Sequence, residues 1–146
     1  MKLLVLAHAA ATLIMWGVIL VVQVVHYPLF GKVGTAGFVA YQTDHMRRIT
    51  YVIAVPMLVE LSTAIALAWW QPASIPGWQI WNGLALLTLI WISTGLLQVP
   101  LHNTLLRGFD ATAHQRLVTT NWIRTLAWSA RGLLVLTMLA AWLRAS

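Results

Sequence analysis

Four long apolar runs separated by polar stretches dominate the chain. Leu3 to Tyr27 carries no Asp, Glu, Lys or Arg, Ile49 to Trp70 carries only Glu60, Trp78 to Val99 carries none, and Leu117 to Leu143 carries Arg124 and Arg131. Each run exceeds the roughly 20 residues needed to cross about 30 Å of hydrocarbon. Backbone in lipid must satisfy its own hydrogen bonds, so the runs are helices. The pattern predicts an all-α, integral membrane four-helix bundle with an up-down-up-down path and long polar connections on one side. It reads as a single membrane domain over residues 1–146, with helices at about 3–27, 49–70, 78–99 and 117–143 and a helical lead-in to the second from about 38. The first run is too long for the apolar part of a signal peptide. Its Ala-x-Ala sites, within Ala7 to Ala11, also come too early, so it reads as a retained helix.

Gln71 to Gly77, with Pro72 and Pro76, is a tight uncharged turn flanked by Trp69, Trp70, Trp78 and Trp81, rings that mark a membrane interface. The other two connections, Pro28 to Arg48 and Pro100 to Arg116, are longer and polar and lie on the opposite side. Lys32, Arg47, Arg48, Arg107 and Arg116 cluster there, against Lys2 and Arg144 on the other face. The positive-inside rule places the long connections in the cytoplasm and both termini outside, in what reads as a bacterial inner (plasma) membrane. Gln23, His26, Gly37, Phe38, His45 and Arg48 are echoed in order by Gln98, His102, Gly108, Phe109, His114 and Arg116, a weak hint of two similar hairpins.

At about 100° per residue, His8, Thr12, Trp16, Gln23 and His26 share an arc of the first helix. Trp91, Thr94, Gln98 and His102 share one on the third, and His114, Asn121, Arg124, Trp128 and Arg131 one on the fourth; Tyr41, His45 and Arg48 share a face leading into the second. Polar stripes facing lipid are costly, so each is expected to point into the bundle, and they meet most densely at the end bearing the long connections. Glu60 and Arg131 lie roughly 15–20 Å inside the hydrocarbon from that end, at 1.5 Å per residue. Matching depths predict an intramembrane ion pair between helices two and four.

Composition agrees with lipid as the second solvent. Of 146 residues, 60% are apolar and 8% charged, and the mean hydropathy is +0.80; a soluble domain carries about 25% charged residues. The net charge of +6 therefore reads as membrane topology, with no nucleic acid partner implied. The absence of cysteine excludes thiolate-held haem, iron–sulfur clusters and disulfides. Histidine is left as the main soft ligand. His26, His45 and His102, with His114 nearby, are candidates for a metal ion or for haem b; Glu60 is too far along its helix to join His45. The competing reading needs no cofactor and gives the histidines acid–base roles.

Four short stretches carry a resemblance. They are Tyr27-Pro28-Leu29-Phe30; Phe38 with His45-x-x-Arg48; Val99-Pro100-Leu101-His102-Asn103-x-Leu105; and Asn121-Trp122-x-Arg124-Thr125. Together they resemble the anthrone oxygenase-like family of small four-helix membrane proteins. That family's asparagine two residues after the proline of helix three is replaced here by His102, with Asn103 next. The resemblance implies oxygenation of a polycyclic phenol without an obvious cofactor.

The residues by themselves are compatible with such chemistry. His26, His45, His102, Asn121 and Arg124 are the candidate catalytic set, and Trp16, Gln23, Trp91, Gln98 and Trp128 the candidate substrate-binding set around a flat aromatic ring. The leading expectation is a membrane oxidoreductase, oxygenase-like, acting on a lipophilic aromatic or quinone-like small molecule. The alternatives are a haem or metal redox protein and a noncatalytic binding or transport module; four helices make a thin transporter unless they form a homo-oligomer.

Overall fold

The computed structural model describes residues 1–144, so the last two residues of the expected domain lie outside the described part. It is a four-helix bundle of helices long and apolar enough to span a membrane: α1 (Lys2–Phe30), α2 (Phe38–Trp70), α3 (Gly77–Leu105) and α4 (Ala111–Arg144). Every helix reaches beyond the apolar run that announced it. The long connections of the sequence reading thus shrink to residues 31–37 and 106–110, because their polar residues continue the helices past the apolar stretch. Asp110 starts α4 as an N-cap, its Oδ1 accepting the Ala113 N–H at 2.7 Å. At the other end α2 stops at Gln71, which takes a left-handed conformation (φ 40°) before Pro72.

Two of the helices are not regular. α1 contains a π-helical turn at Val22–His26 and α3 one at Thr94–Gln98. Both precede a proline by one residue, Pro28 and Pro100. α1 packs along α2 and α4, and α4 packs along α3, whereas α2 touches α3 chiefly through residues 77–93.

Two apolar clusters hold the bundle. One, with Met15, Ile19, Phe30, Phe38, Ile90, Leu117 and Trp128, lies toward the 31–37 and 106–110 end. The other, with Val5, Leu67, Ile75, Ile80, Val135 and Trp142, lies toward the tryptophan-rich turn. The outer faces are leucine, valine and tryptophan, for example Leu3, Leu96, Leu126 and Trp69, surface that lipid rather than water covers.

Between the clusters Glu60 of α2 meets Arg131 of α4. Arg131 Nε donates to Glu60 Oε1 at 2.9 Å, and Nη2 lies 2.9 Å from the same oxygen, off the hydrogen-bonding direction. Arg131 Nη1 donates to the Gly83 carbonyl and Trp128 Nε1 to Glu60 Oε2, at 3.1 Å. Both charged groups are fully buried, at 0% and 2% exposure. His8 sits beside them, bonded through Nδ1 to Thr63 Oγ1 at 2.9 Å.

Candidate functional site

A cavity of about 200 Å³ opens among the four helices on the side of the polar convergence. Most of its wall is apolar: Met15, Ile19, Val22, Ile49, Ile53 and Met57 are typical. Its polar groups are confined to Tyr27, Thr50, Thr94, Gln98, His102 and Arg124, with the indole of Trp128 closing one side. Thr50 of α2 and Val99 of α3, the exposed members of the lining, mark a mouth where those two helices part. An apolar chamber with a few convergent polar groups is the usual form of a small-molecule site.

Tyr27 is the centre of the polar end. Its hydroxyl lies 2.8 Å from His102 Nε2 and accepts from Arg124 Nη2 at 3.2 Å. Gln42 Nε2 donates to His102 Nδ1 at 2.9 Å, which makes that nitrogen an acceptor. A neutral His102 then carries its proton on Nε2 and donates to Tyr27. With two donors already on its oxygen, Tyr27 turns its own O–H toward the chamber it lines. In this arrangement the histidine is a hydrogen-bond donor to Tyr27.

Arg124 is 7% exposed. Its Nε and Nη2 donate to Asn121 Oδ1, and Nη1 reaches Thr94 Oγ1 at 3.4 Å. Asn121 is held in turn, its Nδ2 donating to Gln23 Oε1 at 2.8 Å, and Gln23 Nε2 donates to the Val118 carbonyl at 3.1 Å. Gln98 is braced by Ser93 and Thr120 at 3.0 and 3.2 Å. These partners are all neutral. Every described carboxylate is spoken for elsewhere: Asp44 by Arg47 and Arg48, Glu60 by Arg131 and Trp128, Asp110 by the start of α4. Arg124 is thus a buried cation, lining an apolar chamber, with no carboxylate partner among the described residues.

The expected site residues separate into groups. His102, Arg124, Gln98 and Trp128 line the chamber, and Asn121 and Gln23 stand behind Arg124 as its supports. Trp16 lies elsewhere, its Nε1 donating to Ser129 Oγ at 2.9 Å and its ring on Gly132. Trp91 is 36% exposed and faces outward; the π turn that follows it inserts an extra residue, which breaks the 100° arithmetic that aligned it with Gln98 and His102. The same effect in α1 turns His26 to the bundle's outer side, where its Nε2 lies 2.7 Å from His45 Nδ1. His114 bonds through Nε2 to the Tyr27 carbonyl at 2.8 Å.

The histidines do not form a ligand set. Among the described residues no three His, Cys, Asp or Glu side chains converge as metal ligands. The facing nitrogens of His26 and His45 are too close to admit an ion, since each metal–nitrogen bond needs about 2.0–2.1 Å. Both nitrogens of His102 are occupied by Tyr27 and Gln42. Tyr27 and Gln42 were absent from the candidate set, and Thr94 stood on the polar arc of the third helix without a role assigned to it. The signal for Tyr27 was its place between a histidine and a proline at the end of α1; nothing in periodicity singled out Gln42.

Set against known protein families, curated proteins and solved structures, the chain matches none of them.

Proposed function

We propose that the protein is an oxygenase-like membrane oxidoreductase whose chamber binds a lipophilic aromatic compound with an acidic phenol or enol group. The observation that carries this reading is the buried Arg124 guanidinium without a carboxylate partner. Leaving a cation uncompensated in an apolar interior is expensive, and an anionic ligand oxygen removes that expense. Tyr27 lines the same chamber and places its hydroxyl as a donor for the negative charge that develops on the oxygen added to the ring. Phenol-bearing rings suit the wall: flat and apolar on both faces, with one polar edge.

The chemistry needs dioxygen as oxidant and no resident cofactor. The ligand loses one proton to its surroundings and binds as its anion, with the electron pair shared between oxygen and the conjugated ring carbon. That carbon forms a bond to dioxygen, giving a peroxide anion that takes a proton from Tyr27, later restored from water. Loss of water from the hydroperoxide leaves a ketone, so a CH₂ group and O₂ become C=O and H₂O. The substrate arrives from the bilayer between α2 and α3. The long-connection end, rich in arginine, faces the cytoplasm of a bacterial inner membrane under this reading.

Protein in lipid nanodiscs, titrated with a dihydroxyanthrone, tests the proposal through the phenolate absorption band and oxygen uptake. Wild type should bind the anion and consume oxygen. Arg124→Leu should weaken binding at least about tenfold, about 1.4 kcal/mol. Tyr27→Phe should keep binding within about threefold and lose turnover. Equal affinity in the Arg124 variant, or no oxygen uptake by wild type, overturns the reading.

A further inference from the structure

His26 and His45 take no part in the chamber, and they mark a second feature on the outside of the bundle. Two adjoining hollows lie between α1 and α2 and share His26, Ile49 and Val52. The deeper one, about 350 Å³, is lined by Gly17, Val18, Val21 and Val22 besides the shared residues, and is apolar apart from His26. The other, about 290 Å³, lies toward the 31–37 loop and is lined by Tyr41, Asp44, His45 and Arg48. Together they form one amphipathic groove, with an apolar trunk below and a polar head at the membrane boundary.

A Cβ at Gly17 would meet nothing within 4 Å, so the trunk is open space there that a longer side chain would occupy. From Gly17 to His26 the groove runs about 14 Å along the helix, at 1.5 Å per residue, a length of acyl chain rather than of a side chain. The head is lined by the Arg48 guanidinium and the Asp44 carboxylate, and Arg47, bonded to the same carboxylate, stands beside it outside the lining. Asp44 Oδ2 accepts from Arg48 Nε at 2.6 Å and Oδ1 from Arg47 Nη2 at 2.5 Å, so the Arg48 Nη groups remain available. The imidazoles bonded to each other through His26 Nε2 and His45 Nδ1 leave His26 Nδ1 as a further polar atom on the rim. Net positive charge at the interface, with donors at the head of an apolar trench, fits a lipid phosphate; basic pockets between membrane helices hold anionic head groups in this way.

We infer that this groove is a binding site for an anionic phospholipid, with the phosphate at Arg48, Tyr41 and His26 and one acyl chain along Gly17, Val21 and Val22. It shares Val18, Val22 and Ile49 with the chamber as a common wall, but it is lined on the other side by Gly17, Val21 and Val52 and does not depend on the chemistry proposed for the chamber. The site gives His26 and His45 a role at the lipid boundary instead of at the reacting centre.

The experiment is native mass spectrometry of protein taken from nanodiscs of mixed phosphatidylglycerol and phosphatidylcholine. The expected result is one retained phosphatidylglycerol per chain, preferred over phosphatidylcholine. Arg48→Gln should cut that preference about fivefold, the worth of one arginine near a charged surface. Gly17→Leu fills the trunk on an exposed face, so it leaves the fold intact while displacing the lipid of either charge. Retention without head-group preference in wild type, or unchanged phosphatidylglycerol retention in both variants, overturns the inference.

Discussion

Gly132 fixes the distance between α1 and α4, and replacing it with alanine is the sharpest test of the packing. A Cβ at position 132 would lie 2.6 Å from Trp16 Cδ2 and 2.8 Å from Cζ3, and closer still to Cε3. The added carbon belongs to a helix backbone and cannot step aside, so the indole must move. The ring is not free to do so, because its Nε1 donates to Ser129 Oγ at 2.9 Å one turn earlier on the same helix. Forcing a methyl into a filled contact costs about 1–3 kcal/mol, and a lost interhelical hydrogen bond in a bilayer adds about 0.6 kcal/mol. Gly132→Ala should therefore destabilise the bundle by about 2–4 kcal/mol. Reversible unfolding in mixed micelles, followed by far-ultraviolet circular dichroism, measures the difference. Trp16→Leu removes the obstacle, so the double variant should lose less than the two single losses combined, with coupling above about 1 kcal/mol. A single variant within about 0.5 kcal/mol of wild type, or strictly additive losses, would refute the close approach of α1 to α4.

Other expectations follow from the same geometry. Glu60→Gln keeps an acceptor for Trp128 but leaves the Arg131 charge uncompensated, so it should cost about 3–5 kcal/mol, and adding Arg131→Met should recover most of the loss. Thermal melts in detergent would show it; a Glu60→Gln protein as stable as wild type would mean that the pair does not carry the helix contact. Gln71→Gly relieves a left-handed backbone at the end of α2 and should raise stability by about 0.5–1 kcal/mol in the same melts, since a side chain is disfavoured there.

How far the sequence could be read depended on whether each helix was regular. α4 has no π turn, and there the 100° rule placed Asn121, Arg124, Trp128 and Arg131 on one buried arc, as they are found. Depth counting put Glu60 and Arg131 at one level, where the two side chains touch. The rule broke in α1 and α3. It put Trp91 beside Gln98 when Ile90 and Ser93 are the residues facing inward, and it put His26 in line with Thr12 when His26 lies on the outer groove. The lead-in from about 38 matches the start of α2, but the ends of α1, α3 and α4 were placed short, because hydropathy reports where lipid stops and says little about where hydrogen bonding stops. Tyr27 was missed for a related reason: a tyrosine at the end of an apolar run looks like an interface anchor until the chamber behind it is seen.

The irregularity that defeated periodicity is also what makes a chamber available. Proline lacks an N–H, so Pro28 and Pro100 leave the α-helical acceptors four residues earlier without their donor. In both helices the residue before proline reaches back five residues, Tyr27 N–H to the Val22 carbonyl and Val99 N–H to the Thr94 carbonyl. Each five-residue step rotates all that follows by close to one residue, about 100°. In α3 the rotation lets Leu87 and Ile90 fill the middle of the bundle while Gln98 and His102, beyond the turn, still point inward. On a regular helix Trp91, and not Ile90, would share the face of Gln98 and His102. The break comes where α2 ceases to follow α3, so the volume left between them is the chamber, and its polar end is supplied by the half of the helix that was turned. α1 uses the same device with the opposite result, sending His26 outward while Tyr27, one residue on, enters the polar end. Two prolines in equivalent places thus give the chamber His102 while His26 faces the outer groove. His45 stands between them, its ring centroid 4.6 Å from that of His26 and 5.8 Å from that of His102. The histidines converge as the sequence suggested, but only one of them lines the chamber.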